Sequence, residues 1–427
     1  MLLLLILIFV SGYLFIAFEN AIKINKSAIA LITGALCWSV YSLFSPDKSM
    51  VNQQLAEHLG ALSGILFFLL AAMTIVELID SHDGFEIITS RITQTDKRKL
   101  LWIIAFITFF LSAILDNLTT TIVVVSLLRK LIKNQQDRLL FSGIVVVAAN
   151  AGGAWTPIGD VTTTMLWIGG QITTINIMAK LILPSVVCLI LPLLVLSIRF
   201  KGTIEKPTIL KSNNSENIST RHQYIVFFSG IVILLLVPVF KTVTHLPPYM
   251  GILAGLGILW VITELIHGKK EDAERRLYSV VYALRRIDTA SILFFFGILI
   301  AIAALQSSGI LIDLAHWMAL KISNINIIVL SLGILSSVVD NVPLVAASQG
   351  MYSLAQYPVD HYFWEFLAYC VGTGGSMLII GSAAGVAAMG IEKINFFWYL
   401  RKISLLALLG YFAGAVVYIL QDMVLRI

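Results

Sequence analysis

Eight apolar runs, each close to the length needed to cross a bilayer, decide what this chain can fold into. They cover residues 1–17, 27–45, 55–79, 172–198, 223–240, 248–266, 288–306 and 403–420. A membrane's hydrocarbon core takes about 20 residues of helix. Backbone groups in lipid must satisfy one another, so the spanning elements are expected to be helices. Composition agrees: of 427 residues, 58% are hydrophobic and 12% charged, against roughly 25% charged in soluble domains. The first run, MLLLLILIFVSGYLFIAF, has no basic n-region and no small-residue cleavage site before a soluble domain, so it reads as a spanning helix rather than a signal peptide. Cys37, Cys188 and Cys370 lie in apolar segments without metal-like spacing and read as buried hydrophobes. His58, His82, His245, His267, His316 and His361 are scattered near the ends of the runs and suggest no metal site.

The net charge of +5 points to topology rather than to nucleic acid, because the basic residues cluster between the runs. Cytoplasmic loops collect Lys and Arg. One side can take every basic residue except Lys48, Lys180, Lys241, Lys321 and Arg426. That side holds Lys23 and Lys26, the clusters around 91–99, 129–138, 199–221 and 269–286, and Lys393, Arg401 and Lys402. The apolar segment between Lys99 and Arg129 has both flanks on the basic side and a polar middle, SAILDNLTTT. A re-entrant hairpin turning at Asp116–Asn117 satisfies both facts, provided the turn is buried in protein or lines a wet cavity.

The chain also repeats. Ser112-Ala-Ile-Leu-Asp116-Asn117 matches Ser336-Ser-Val-Val-Asp340-Asn341 at an offset of 224 residues, and Asn150 to Asp160 matches Gly372 to Ser382 at an offset of 222. Counting three helices, a hairpin, a broken helix and a closing helix gives an odd number of crossings, so the second half is inverted. The expected fold is an all-α polytopic membrane protein of two inverted-topology repeats, each of five transmembrane helices (one discontinuous) plus a re-entrant hairpin. The first repeat covers 1–198, with its hairpin at about 100–128 and broken helix at about 139–169. A polar cytoplasmic linker follows at 199–222. The second repeat covers 223–427, with its hairpin at about 322–356 and broken helix at about 363–393. The second hairpin should enter from outside, and both termini should be extracytoplasmic. Segments 84–96 and 309–320 read as interfacial helices ahead of each hairpin.

Inverted repeats with interrupted helices place transport sites near the midplane. Asp116, Asp160 and Asp340 all fall at the predicted interruptions, and an ionisable residue inside a membrane is functional by default. Hard cations such as Na⁺ take oxygen ligands. Ser112 and Ser336 stand four residues before their aspartates, on the same face if the arm is helical. Thr119, Thr120, Thr121, Thr156 and Thr163 add oxygens, while Pro157 and Ser382 belong to the two unwound stretches. Burial disfavours a charged carboxylate and a bound cation favours it, so one aspartate can hold a proton or Na⁺ but not both. Asp160 could simply cap the helix starting at Val161, and capping does not exclude cation binding. Glu77, one turn above the end of its run, is a candidate on a proton path.

At TIVELIDSHDGF (74–85), SAILDNLTTTIV (112–123), GGAWTPIGDVTTTMLW (152–167) and SSVVDNVPLVAA (336–347), the sequence resembles the NhaD-type sodium/proton antiporters of the ion-transporter superfamily. The resemblance implies exchange of Na⁺ and Li⁺ for H⁺ across a bacterial cytoplasmic (inner) membrane, no cofactor, and a homodimer. It places ion handling on Asp116, Asn117, Asp160, Asp340 and Asn341, with Ser112 and Ser336 nearby and Glu77 a weaker carry-over. The second break carries Ser382 where the first has Asp160, so the halves are not equivalent. Relatives on the same scaffold carry dicarboxylates or arsenite and antimonite. Three acids at the breaks favour a cation over a dicarboxylate, whereas arsenite exporters share the Asp-Asn hairpins. Pro157-Ile-Gly159-Asp160 resembles the Gly-x-Gly-Asp of intramembrane aspartyl proteases only without its first glycine.

Overall fold

A computed structural model describes residues 1–17, 19–89, 92–205, 219–268, 277–322 and 324–425. Residues 206–218 of the expected linker lie outside the described residues, as do Arg91, Lys269, Lys270, Arg275, Arg276 and Arg426. Among the described residues the structure is helical throughout, with one isolated bridge between Asp96 and Thr203. Among the described residues eight helices are long and apolar enough to cross a membrane; Lys97–Leu115, expected as a hairpin arm, is one of them, whereas Leu2–Ile16, expected as the first span, is shorter.

The first half begins with three helices, Leu2–Ala17, Lys26–Phe44 and Lys48–Ser81. A helix pair follows, Lys97–Leu115 and Asn117–Leu131, joined by Asp116 alone. Next comes an interrupted helix, Gln135–Gly153 and Val161–Ile168, and then Thr174–Arg199. The second half runs in the same order. Thr220–Thr244, Pro248–His267 and Thr289–Ser307 precede the pair Ile325–Leu335 and Asn341–Met351. The interrupted helix Tyr362–Gly374 and Ala383–Glu392 comes next, and Ser404–Leu425 closes the half. Among the described residues two short helices, Val280–Arg286 and Phe396–Lys402, have no counterpart in the first half, and Glu19–Ile22 has none in the second.

The two segments expected to be interfacial helices differ. Ile310–Lys321 is a helix of 12 residues, whereas Glu86–Thr89 is the helical stretch among the described residues of the earlier segment. Asp96 ends the earlier segment as an extended N-cap of the next helix, its side chain accepting from Lys99 N.

The interrupted helices form the core. Every residue from 141 to 160 and from 363 to 376 is buried, as befits helices that are apolar all round. Matched contacts seat each one on its helix pair. The Ser112 hydroxyl donates to Ala149 O at 2.6 Å, and the Ser336 hydroxyl to Val371 O at 2.8 Å. Gly152 lies against the Phe109 carbonyl and Gly374 against the Gly333 carbonyl, where any side chain would collide with backbone. The halves join through Lys26–Phe44 and Thr289–Ser307, where Gly34 faces Gly297 and Trp38 Nε1 donates to Ile300 O at 2.8 Å. Small residues allow such close crossings where lipid offers no hydrophobic drive.

Candidate functional site

Four helices start near the centre of the molecule, and each is led by a polar residue: Asp116, Asp160, Asp340 and Ser382. Helix N-termini favour negative charge, so this arrangement lowers the cost of placing carboxylates in a membrane interior.

Asp160 stands at the junction of the halves and is 1% exposed. Its Oδ1 accepts from Thr162 N at 3.0 Å, the cap expected from the sequence. Its Oδ2 accepts from Asn117 Nδ2 at 2.8 Å, and Asn341 Nδ2 reaches both oxygens at 3.3 Å. The tip of each helix pair thus contributes one amide. Asn117 Nδ2 also donates to Asn150 Oδ1 at 3.1 Å, and Asn150 Nδ2 donates to Ser376 and Ser382 hydroxyls at 2.9 Å each. The network crosses from one half to the other, and the amide nitrogens of Asn117 and Asn150 each donate twice. All donors to Asp160 are neutral, and no ion pair reaches it among the described residues.

The Asp116 carboxylate is turned away from this cluster. Its Oδ1 accepts from Thr119 N at 2.7 Å and its Oδ2 from the Thr119 hydroxyl at 2.8 Å. Its backbone has φ 86° and ψ 158°, a region nearly reserved for glycine, which costs about 1–3 kcal/mol and is found where surrounding structure over-determines it. The turn that follows carries the hydroxyls of Thr120 and Thr121, buried and without partners among the described residues.

Asp340 is arranged differently again. Its side chain does not cap its helix, its Oδ1 is buried without a partner among the described residues, and its Oδ2 lies 3.8 Å from Lys26 Nζ. It opens onto a cavity of about 370 Å³, also lined by Tyr13, Glu19, Lys26 and Lys393. A neighbouring cavity of about 470 Å³ shares Glu19 and Lys26 and reaches Leu118 and Ala383.

Of the residues expected at the site, Asn117, Asp160, Asn341 and Ser382 meet in one cluster, while Asp116 and Asp340 flank it. Thr119 bonds the Asp116 carboxylate, and Ser112, Ser336, Thr156 and Thr163 act on backbone. Ser112 and Ser336 bond carbonyls of the interrupted helices rather than facing their aspartates. The Thr156 hydroxyl donates to Ala113 O, Thr163 to Asp160 O, and Thr164 to the Pro157 carbonyl. Glu77 is away from the cluster, 3.0 Å from Arg286 Nε. Asn150, Ser376 and Lys26 were not singled out from the sequence. His82 and His267, read there as scattered, meet with their Nε2 atoms 2.9 Å apart. Among the described residues no three His, Cys, Asp or Glu side chains converge as metal ligands, so the three aspartates do not form one carboxylate cluster.

A family model described as "Citrate transporter" matches residues 13–372. "Sodium/proton antiporter 2" of Arabidopsis thaliana is 47% identical over 417 residues, covering 97% of this chain and 98% of that protein. "Sodium/proton antiporter 1" of the same plant is 50% identical, over 97% of this chain and 71% of the relative. "Na(+)/H(+) antiporter NhaD" of Vibrio cholerae is 29% identical over 98% of this chain and 91% of the relative. The chain belongs to the NhaD-type sodium/proton antiporter family. Its members by name are transporters rather than enzymes, and the ions they exchange are cargo rather than cofactors.

Proposed function

We propose that the chain exchanges cytoplasmic Na⁺ or Li⁺ for external H⁺ by alternating access, with buried aspartates holding either a cation or a proton. One observation carries the reading. Asp160 is buried, is held by amides from both helix pairs, and has no cationic partner among the described residues. An isolated buried charge costs several kcal/mol, so the carboxylate takes a proton or a cation. These two are mutually exclusive, and that exclusion is the exchange. The proposed Na⁺-handling residues are Asp160, Asn117 and Asn341 at the centre, with Asp116 and Asp340 flanking them and Ser382 and Thr119 supplying nearby oxygens. Asn117 and Asn341 present N–H to Asp160 here; a half-turn of each amide would present oxygen to Na⁺ instead.

The halves are proposed to be inverted, with both helix pairs re-entrant from opposite sides. The first pair has Lys97, Arg98 and Lys99 at one end and Arg129 and Lys130 at the other, which suits entry from the cytoplasm. The second has only Lys321 beside it, which suits entry from outside and puts both termini outside. The family resemblance adds a homodimer, tested by the particle's mass in detergent.

Carriage of an anion is the second reading, favoured by the citrate description of the matching family model. Asp116, Asp160 and Asp340 would meet a di- or tricarboxylate as like charges, which weighs against it. The test is a pH-gradient assay in everted vesicles. Na⁺ added after the gradient forms collapses it with the wild-type protein and fails to do so with Asp160→Asn, while citrate has no effect. A wild-type protein silent to Na⁺ and Li⁺ at neutral and alkaline pH would defeat the cation reading.

A further inference from the structure

We propose that Lys26 is a tethered competitor for the transported cation at Asp340, an inference that rests on the cation-exchange reading. Lys26 opens the helix Lys26–Phe44, and its backbone is held in place. Its N–H donates to Glu19 Oε1 at 3.1 Å, while the next residue, Ser27, donates from its hydroxyl to Ala290 O at 2.6 Å. The side chain then crosses the Phe294 ring, with Nζ 4.3 Å from the ring centre, and ends 3.8 Å from Asp340 Oδ2. That separation lies beyond hydrogen-bond range. The ammonium therefore neutralises the carboxylate without being locked to it.

Asp340 Oδ1 makes no hydrogen bond among the described residues, so that oxygen is uncommitted. A second cation arriving there meets the Lys26 charge, and one carboxylate balances only one of them. The structure leaves Lys26 somewhere to go. It lines both cavities, of about 470 and 370 Å³, and Glu19 lines both as well, offering the displaced ammonium another carboxylate. A pair closed about nine-tenths of the time weakens apparent Na⁺ binding about tenfold.

The test uses the full-length protein, measuring ²²Na⁺ uptake into proteoliposomes and the Na⁺ concentration that half-maximally raises the melting temperature in detergent. Lys26→Gln should lower the apparent KM for Na⁺ about tenfold and shift the thermal midpoint equally, while Lys26→Arg, which keeps the charge, stays near wild type. In an Asp340→Asn background Lys26→Gln should cause no further shift. A Lys26→Gln protein that responds to Na⁺ with an unchanged or higher KM overturns the proposal. So does one with a lower melting temperature at every Na⁺ concentration and an unmoved midpoint, the mark of a structural role. A wild-type protein with no Na⁺ response overturns the exchange reading and this inference with it.

Discussion

The two Asp-Asn tips share a sequence motif and a place in the fold, yet their aspartates do opposite things. Asp116 is closed: φ is 86° and both carboxylate oxygens are bonded to Thr119. Asp340 is open: φ is −47°, no cap is made, one oxygen is orphaned, and the other faces a lysine across 3.8 Å. The asparagines behave alike, since Asn117 and Asn341 both donate to Asp160. The interruptions repeat the lesson. Asp160 and Ser382 adopt nearly the same backbone, φ −144° against −145°, and both cap the following helix. Duplication thus preserved the frame and the amide grip, while a single central carboxylate, one closed tip and one open tip broke the symmetry.

The largest expected effect separates Asp160 from Ser382. Asp160→Asn should reduce Na⁺-driven exchange on the order of 100-fold, since a buried ion pair that loses one partner forfeits roughly 3 kcal/mol. Ser382→Ala should leave most activity. Next come the two aspartates of the tips, compared by thermal unfolding. Asp116→Ala removes a cap and puts alanine at a positive φ, costing about 2 kcal/mol; Asp116→Gly should recover part of that, and Asp340→Ala should cost less than about 0.5 kcal/mol. Asn117→Ala and Asn341→Ala should each weaken apparent Na⁺ affinity about tenfold in uptake assays, and a large inequality between them would break the shared grip. The smallest effect is a symmetric control. Ser112→Ala and Ser336→Ala should each lose about 1 kcal/mol of stability, because each removes one equivalent bond to an interrupted helix.

Much of this frame was legible in the sequence, because length and apolarity are themselves the signal for a spanning helix. Asp116, Asp160 and Asp340 stood out as charges in apolar surroundings. Asn150 did not, since it aligns with Gly372 and is neutral, so neither repeat nor charge marked it. Ser376 looked like any small helix-break residue. Lys26 read as a loop cation because a sequence does not say where a four-carbon stem will end. The serines misled for a geometric reason. Spacing of four residues predicts a shared face only while the helix continues, and Asp116 leaves the helix at φ 86°, which frees Ser112 to bond Ala149 O instead.

The most direct test is proton release from purified protein in weakly buffered detergent when Na⁺ is added. If Na⁺ and H⁺ take turns on the central carboxylate, the wild-type protein acidifies the medium on Na⁺ addition, and Asp160→Asn loses that release while Ser382→Ala keeps it. Undiminished proton release from Asp160→Asn would contradict the account.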